Sequence, residues 1–363
     1  MAKSSVLKRE YAIQQKFAVL EILVHEYPDW IRRKHPILNS LLDQKQLHDP
    51  AFLNRHFEAL EHNSGHLDFS TERRGNAYRE RQKRHPEARA IGYRKIYELA
   101  SSVFPNLSDQ HIWNDCLGGN GSFERGLRLQ YPVSKLPYMI TSDPCPAMVI
   151  DAMNQGLAAI RQAAQATLFA DHTVDIAFAG YGLHHIERTD RPQTCREIYR
   201  ILNPGGLVIL HDFEEGSPTA RWYSELLDRY TLTGHAYEHC TASELTELLE
   251  DADFTSIKIQ ALYEPFVFTA PTARMAREAL LEHLREMFGL VKLQRVAGES
   301  EAEYFNRLEQ TFRPYCTFKA DEVAFDDRAL RGFTVDCKAV GGWRAEFPRV
   351  ALVATALKPL SCA

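Results

Sequence analysis

Two adjacent histidines and one aspartate have the types and spacing needed for proton transfer. His184 and His185 follow the apolar segment VDIAFAGYGL, and Asp212 follows the apolar segment GLVILH. If both segments are parallel strands, their carboxyl ends open at one edge of the sheet, where these side chains would meet. Histidine titrates near neutral pH, and a carboxylate can fix its tautomer. The spacing therefore predicts a base among His184, His185 and Asp212. The alternative is a histidine that caps the following helix.

Other histidines and the cysteines support weaker hypotheses. Three secondary candidates for the same site are His211, Tyr237 and His239. We expect no metal site from His184, His185 and Asp212, because adjacent side chains of a strand point to opposite faces. The seven cysteines contain no C-x-x-C pair, so reduced thiols are favoured over a zinc site or a disulfide framework.

A glycine-rich loop, DCLGGNG over residues 115–121, follows a predicted strand and precedes a predicted helix. Glycine lets the backbone approach a ligand closely. Asp143 ends the next predicted strand, where a carboxylate can accept hydrogen bonds from both hydroxyls of a ribose. Taken alone the loop is equally compatible with a simple turn, because short glycine motifs are weak signals. The G-x-G-x-x-G pattern is absent, which makes a dehydrogenase a minor alternative.

The elements that would position these residues alternate between strand and helix patterns, which indicates a parallel α/β sheet. Residues 1–108 are predicted as a helical N-terminal domain for substrate enclosure or dimerisation, and residues 109–363 as the core. An insertion at about 271–346 would carry two amphipathic helices before the last strand. The predicted strands are HIWNDCL, PYMITSD, a weak third near 166–169, VDIAFAGYGL, GLVILHDF, SIKIQALY and RVALVATAL.

Four blocks between about 110 and 260 resemble the core of class I S-adenosyl-L-methionine (SAM)-dependent methyltransferases, the broad group that includes ubiquinone-type and small-molecule methyltransferases. The blocks are DCLGGNG, SDPCPAM, ATLFADHTVDIAFAGYGLHHI and REIYRILNPGGLVILHDF. The resemblance implies a Rossmann-like, seven-stranded α/β core that binds SAM. It also implies methyl transfer (EC 2.1.1.-) to oxygen, nitrogen or carbon of a small molecule, which we assign to secondary metabolism by analogy.

The same resemblance implies a His184–Asp212 couple that deprotonates the acceptor, and a role for each residue of the cofactor site. Asp115, Gly118, Gly119, Asn120 and Gly121 would hold the methionine part of SAM, and Asp143 its ribose. Adenine would lie beside Pro144, Gln165 and Ala166, over a floor of Ala179 and Gly180. Two residues depart from the family pattern: Leu117 replaces the first loop glycine, and Gln165 stands where an acidic residue commonly meets the adenine amino group.

The composition and net charge of the chain limit which binding partners and which location we expect. The chain has 363 residues, 45% hydrophobic and 25% charged, with a net charge of −5, and it lacks a signal peptide or an apolar run long enough to span a membrane. We therefore expect a cytoplasmic enzyme that binds neither nucleic acid nor membrane. Basic residues crowd positions 72–95, either as a solvated helix or as a lid for an anionic acceptor. A homodimer is a further expectation.

Two other functions fit the sequence. One is a SAM-fold enzyme that performs different chemistry, such as cyclisation. The other is a non-catalytic SAM-binding module, which the departures at Leu117 and Gln165 would suit.

Overall fold

The computed structural model describes residues 33–62, 74–235, 237–319, 330–338 and 341–360. Three sheets contain all the strands of this part of the chain. The strands are β1 Ile112–Asp115, β2 Tyr138–Asp143, β3 Ala159–Arg161, β4 Val174–Gly180, β5 Leu202–Asp212, β6 Thr255–Tyr263, β7 Phe266–Ala270, β8 Phe318–Lys319, β9 Leu330–Arg331, β10 Thr334–Cys337, β11 Trp343–Phe347 and β12 Val350–Leu357.

The main sheet has seven strands in the order β3-β2-β1-β4-β5-β12-β6. Strands β1 to β5 pair in parallel, while β12 runs antiparallel between β5 and β6. The order reverses beside β1, so that the carboxyl ends of β1 and β4 flank a crevice of the kind in which α/β sheets bind ligands. The predicted seven-stranded, Rossmann-like α/β core is confirmed.

The helices cover both faces of the main sheet. They are α1 Pro36–Leu41, α2 Pro50–His62, α3 Arg74–Arg84, α4 Ala90–Val103, α5 Ser122–Arg128, α6 Pro146–Asn154, α7 Arg191–Ile201, α8 Pro218–Arg221, α9 Asp228–Tyr230, α10 Ala242–Glu250, α11 Ala273–Met287 and α12 Glu301–Phe312. A π-helical stretch, Trp222–Leu227, joins α8 to α9. Within the described ranges, no helix is both long and apolar enough to cross a membrane.

Alternating side chains of the central strands build two cores. Ile176 and Phe178 of β4 pack on one face, together with residues of α4, α11 and α12. Ala177 and Ala179 pack on the other face, together with residues of α1, α7 and α10. A strand whose two faces are both buried is apolar at nearly every position, which explains the run VDIAFAG.

The prediction for the third strand is wrong. The third strand is Ala159–Arg161, which pairs with Thr141–Asp143 of β2. At the predicted position, Phe169 forms an isolated bridge to Leu42 and Ala166 bridges Ala163. A three-residue edge strand is too short to produce a periodic pattern, so it could not be told from the helical residues before it.

The described residues before β1 form helices α1 to α4, and residues 1–32 of the predicted helical domain lie outside the described part. Helix α4 packs its apolar face on the main sheet through Tyr93, Ile96 and Tyr97. Gly92 makes this contact possible, because a Cβ there would come within 2.8 Å of Cβ of Glu264. The N-terminal helices therefore share the core of the α/β sheet.

The insertion before the last strand contains the two predicted helices, α11 and α12, but it is not wholly helical. Strands β10, β11 and β7 form a three-stranded antiparallel sheet on which α11 packs. The predicted start at residue 271 is therefore late, since β7 begins at Phe266. The strands are four or five residues long, and β7 lies far along the chain from its partner β11, so local patterns did not reveal the sheet.

Candidate functional site

The glycine-rich loop turns the chain from β1 into α5 across the end of β2. A Cβ at Gly118 would lie 2.9 Å from Cγ of Asp115, and Gly121 has a φ of +73° with Leu157 against its α-carbon. The amide of Gly118 donates to the carbonyl of Ser142, and the amide of Gly119 donates to Oδ2 of Asp143 at 3.0 Å. The glycines therefore hold the loop directly on the end of β2.

Two carboxylates face each other across this loop. Burial, followed by the charge of Asp143, raises the pKa of Asp115 well above its usual value. Burial also raises the pKa of Asp143 to about 6, although the amides of Cys145 and Gly119 oppose the shift. Neither carboxylate forms a salt bridge within the described ranges. The loop therefore places two carboxylates close together without a salt bridge in the described ranges, and Arg161 is the cation whose charge lowers the pKa of Asp143.

A pocket that is partly open to solvent lies above these carboxylates. Seven of the predicted site residues line it: Asp115, Gly118, Gly119, Asp143, Pro144, Gly180 and His185. Leu117, which departs from the family pattern, also lines this pocket.

The other predicted cofactor residues do not line the pocket. The buried amide of Asn120 donates to Asp151 at 3.1 Å, and Gly121 caps α5. Ala179 packs in the core on the far face of β4. The carbonyl of Ala166, next to Gln165, contacts Nδ1 of His56 at 2.8 Å. The structure brings the loop and the β2 carboxylate together and leaves 165–166 away from the pocket lining.

The pocket wall also includes residues that the sequence analysis missed, among them Tyr78, Gln82 and Tyr181. Tyr181 follows β4 with a φ of +59°, a backbone conformation that is rare outside glycine. Its hydroxyl donates to Glu264 at 2.7 Å, which fixes the ring at the pocket wall. An aromatic residue directly after an apolar strand is common, so nothing in the sequence selected Tyr181 as a site residue.

Arg89 also lines the pocket. The sequence analysis named it only as part of the basic 72–95 stretch, and no other described basic residue of that stretch lines the pocket. Arg89 is 7% exposed, and its guanidinium carbon lies 4.2 Å from the centre of the Tyr181 ring. Within the described ranges it has no salt bridge, whereas Arg81 pairs with Glu286 and Arg94 with Glu98. Lys83 pairs with Asp151, and Arg73 lies outside the described residues.

The two adjacent histidines lie on a short 3-10 turn, Leu183–His185, rather than on a strand. Their ring centres are 4.3 Å apart, so the expectation that they point to opposite faces is wrong. A turn of this type does not alternate its side chains as a strand does. The helix that follows begins after Asp190 and has no side-chain cap, so neither histidine caps it.

Asp212 ends β5 and is fully buried. It accepts hydrogen bonds from Nδ1 and the backbone amide of His184, at 3.0 and 2.7 Å. It also accepts from Nδ1 of His239 at 2.9 Å and from the amide of Phe213 at 2.7 Å. The structure thus joins His184 to Asp212 and adds His239.

The electrostatics of this group follow from its burial. Burial would raise the pKa of Asp212, but His184 and His239 hold it well below the usual value. Burial lowers the pKa of His184, and Asp212 only partly offsets this. Asp212 is therefore ionised and His184 is neutral at pH 7, with Nδ1 of His184 as the donor.

His184 opens onto a second pocket, lined also by Arg191, His235 and Tyr237. His185 lines the first pocket, and Ile186 lines both. The histidines therefore lie between the two pockets. His211, a secondary candidate, is directed elsewhere, since its Nε2 lies 3.0 Å from Glu264.

Comparison with known proteins gives one family match. Residues 117–210 match the model of a methyltransferase domain. No curated protein matches the chain.

Several solved structures are similar at low identity. Phosphoethanolamine N-methyltransferase 2 from Haemonchus contortus, in complex with S-adenosyl-L-methionine, is 16% identical, with 73% of this chain and 52% of that chain covered and a TM-score of 0.42. This chain thus spans about half of that protein. A putative sarcosine dimethylglycine methyltransferase from Galdieria sulphuraria is 11% identical, with coverages of 75% and 86% and a TM-score of 0.42.

The family match begins in the glycine-rich loop and ends in β5, the region that holds both the loop and the histidine turn. Residues 117–210 are therefore similar to a methyltransferase domain, and they contain most of the motifs by which the sequence resembles the class I SAM-dependent methyltransferases.

Proposed function

We propose that this protein transfers the methyl group of SAM to a small molecule bound in the first pocket. The observation that carries the proposal is the pair of carboxylates, Asp115 and Asp143, which line the pocket and form no salt bridge within the described ranges. SAM carries a cationic ammonium and a cationic sulfonium, and its ribose offers two hydroxyl donors. Those groups would supply the ion-pair partner that the two carboxylates lack in the described ranges, and further donors beside the backbone amides that already bond Asp143.

The proposed cofactor contacts follow the carboxyl edge of the sheet. Asp115 would bind the ammonium, with Gly118 and Gly119 beside the methionine part, and Asp143 would accept from the ribose hydroxyls. Pro144 and Gly180 would border the nucleoside. Five further residues stay in the proposed cofactor site without lining the pocket: Asn120, Gly121 and Ala179 as supports of the loop and floor, and Gln165 with Ala166 at the adenine end.

The acceptor is proposed to lie against Tyr78, Gln82 and Arg89, on the side of the pocket away from the glycine loop. Buried arginine without a carboxylate partner is costly, and an anionic ligand would relieve that cost. Arg89 therefore favours an acceptor that bears a carboxylate or phosphate group. The anion-binding role that was considered for the whole basic 72–95 stretch is therefore proposed for Arg89 alone.

Methyl transfer from a sulfonium needs an aligned nucleophile, and holding the two reactants together supplies much of the rate. An acceptor hydroxyl or amine must also lose a proton. His184, His185 and Asp212 stay the proposed proton-transfer group, and His185 is the member that lines the acceptor pocket. Secondary metabolism, a cytoplasmic location and a homodimer remain predictions from the sequence.

The cofactor proposal is tested by calorimetric titration of the protein with SAM and with S-adenosylhomocysteine. We expect micromolar binding by the wild type and a loss of at least about tenfold, or 1.4 kcal/mol, in Asp143→Asn. Asp336→Asn, an exposed carboxylate on β10, is the matched control and should bind normally. Absence of binding by the wild type would contradict the proposal and favour a different ligand for the loop.

The acceptor proposal is tested by a methylation screen that pairs carboxylates and phosphate esters with their uncharged analogues. We expect Arg89→Gln to raise KM for the anionic acceptors while SAM affinity is kept. Arg84→Gln is the control, since Arg84 is exposed on α3. Equal KM changes for charged and uncharged acceptors would remove the anion-binding role.

A further inference from the structure

We propose that His184, His185 and His235 bind a divalent transition-metal ion of the zinc type, in the wall between the two pockets. Their ligand nitrogens all lie within 4.8 Å of one another. Their ring centres form a nearly equilateral triangle, with sides of 4.3, 5.2 and 5.3 Å. Three imidazoles around one point are a donor set that suits zinc and its neighbours rather than magnesium or calcium.

His184 is already oriented as a metal ligand. Its Nδ1 donates to Asp212, so Nε2 carries the lone pair. That Nε2 is buried and has no hydrogen-bond partner within the described residues. A histidine that binds a metal commonly donates its other nitrogen to a carboxylate, which fixes the ring and increases its basicity. Asp212 provides this support.

The separation of the nitrogens is compatible with coordination after a small movement. Zinc–nitrogen bonds of about 2.0–2.1 Å bring two ligand nitrogens to within about 4 Å of each other. In a tetrahedral site the nitrogens lie roughly 3.4 Å apart. The spacing of up to 4.8 Å therefore needs closure by up to about 1.4 Å, which side-chain rotation of His185 or His235 can supply. His235 is 2% exposed, so the ion would be largely shielded from water.

A second possible ligand set, His184, Asp212 and His239, is equally compact. Its carboxylate, however, already accepts four N–H donors: two from His184, one from His239 and one from Phe213. A metal on Asp212 would have to displace histidine donors. Asp212 is therefore assigned as the group that orients His184, and not as a ligand.

Nearby arginines do not prevent cation binding. Arg188 and Arg191 line the second pocket close to the histidines. Arg191 pairs with Glu244 at 2.6 Å, and Arg188 pairs with Glu238 at 3.2 Å. Their positive charge is thus locally balanced, and the ionised Asp212 adds a negative charge beside the site.

Three protein ligands leave a coordination position open, as in catalytic zinc sites. His185 also lines the first pocket, so that position would border the acceptor space. A bound divalent ion lowers the pKa of an oxygen that coordinates it, so the ion would then replace His184 and His185 as the group that assists loss of the acceptor's proton. This last consequence rests on the proposed function, whereas metal binding itself does not.

The test uses the full chain, stripped with EDTA and titrated with Co²⁺ as a spectroscopic probe and with Zn²⁺ in competition. We expect one equivalent of Co²⁺ per wild-type chain, with the visible absorption of a low-coordinate nitrogen site, displaced by Zn²⁺. His235→Ala should bind at least about 100-fold more weakly, since loss of even an outer support costs about 10–100-fold. His48→Ala, which removes an exposed histidine, is the matched control.

Equal Co²⁺ affinity in the wild type and His235→Ala, or no stoichiometric uptake by the wild type, would overturn the metal site. Circular dichroism and a SAM titration on the same samples check that His235→Ala is folded. Failure of the wild type to bind SAM would contradict the proposed function alone, because the Co²⁺ spectrum does not depend on the cofactor.

Discussion

Two buried carboxylates at the carboxyl edge of the sheet are built in different ways. Asp212 ends β5, and Glu264 directly follows β6, and they are 0% and 2% exposed. Adjacent residues of β5 serve the two groups, because His211 bonds Glu264 and Asp212 bonds His184 and His239. Neighbouring side chains of a strand point to opposite faces, so one strand supplies both clusters.

Glu264 and Asp212 differ in the groups that compensate their negative charges. Glu264 pairs with Arg349, which is permanently cationic, and accepts from Tyr181 at 2.7 Å. Within the described residues, Asp212 forms no ion pair with an arginine, and only histidines and backbone amides donate hydrogen bonds to it. A buried carboxylate that is paired with an arginine, as Glu264 is, stabilises the folded state. A carboxylate held by histidines directs their other nitrogens outward, where a proton or an ion can bind.

The largest effect that this comparison predicts is on stability, in Glu264→Gln. The substitution leaves Arg349 buried without its counter-ion, which should cost about 3–5 kcal/mol of unfolding free energy. Urea unfolding measures it, with Glu250→Gln, an exposed residue at the end of α10, as control. A loss below about 1 kcal/mol, the range of exposed ion pairs, would mean that Glu264 is not a structural anchor.

Asp212→Asn should lower the free energy of unfolding less than Glu264→Gln does, but it should weaken metal binding. The amide cannot accept from all four donors, so we expect a loss of about 1–3 kcal/mol in unfolding free energy. Metal affinity should fall about 10–100-fold because His184 loses its orienting carboxylate. Urea unfolding and the Co²⁺ titration measure the two quantities. A destabilisation larger than that of Glu264→Gln would reverse the roles assigned to the two carboxylates.

How far the sequence predicts these sites depends on how local their signals are. Asp115, Asp143 and the glycines stand at the ends of strands with clear patterns, so the loop and its place beside β2 could be predicted. The pairing of His184 with Asp212 followed from parallel strand ends opening at one edge. His235, Arg89 and Glu264 carry no such pattern, because each comes from a turn or a connection whose position is set by long-range packing.

The short turn at Leu183–His185 shows why the histidine geometry was mispredicted. The sequence continues apolar from β4 to Leu183, which gave no reason to end the strand at Gly180. Three residues of 3-10 turn then bring both rings to the same side. Conformation over so few residues depends on Asp212 accepting the amide of His184, a contact 28 positions away in the chain.

The two clusters should also respond to acid in different pH ranges. Burial lowers the pKa of His184 below 6.5, so the unfolded chain takes up a proton first and this cluster loses stability as pH falls below about 6.5. Burial opposes ionisation of Glu264, but Arg349 and His211 lower its pKa from 4.5 to about 2. Its contribution is present above pH 4.5 and is lost as pH falls towards 2.

Unfolding free energy against pH, on metal-free protein, separates these ranges. The difference between the wild type and His184→Gln should change between neutral pH and about pH 5, by at most about 1.4 kcal/mol per pH unit. The difference between the wild type and Glu264→Gln should change only below pH 4.5. Identical profiles for the two variants would mean that the clusters are not electrostatically distinct.

The smallest expected effect is that of His239→Gln. His239 donates one hydrogen bond to Asp212 at 2.9 Å, and a glutamine amide can replace that donor. We therefore expect a cost of about 1 kcal/mol or less in unfolding free energy and a Co²⁺ affinity close to the wild-type value. A loss of affinity as large as that of Asp212→Asn would mean that His239 is itself a ligand, and that the metal lies on the Asp212 side of His184. The ring of His239 lies 4.5 Å from that of His184, so this variant decides between the two sides of one histidine.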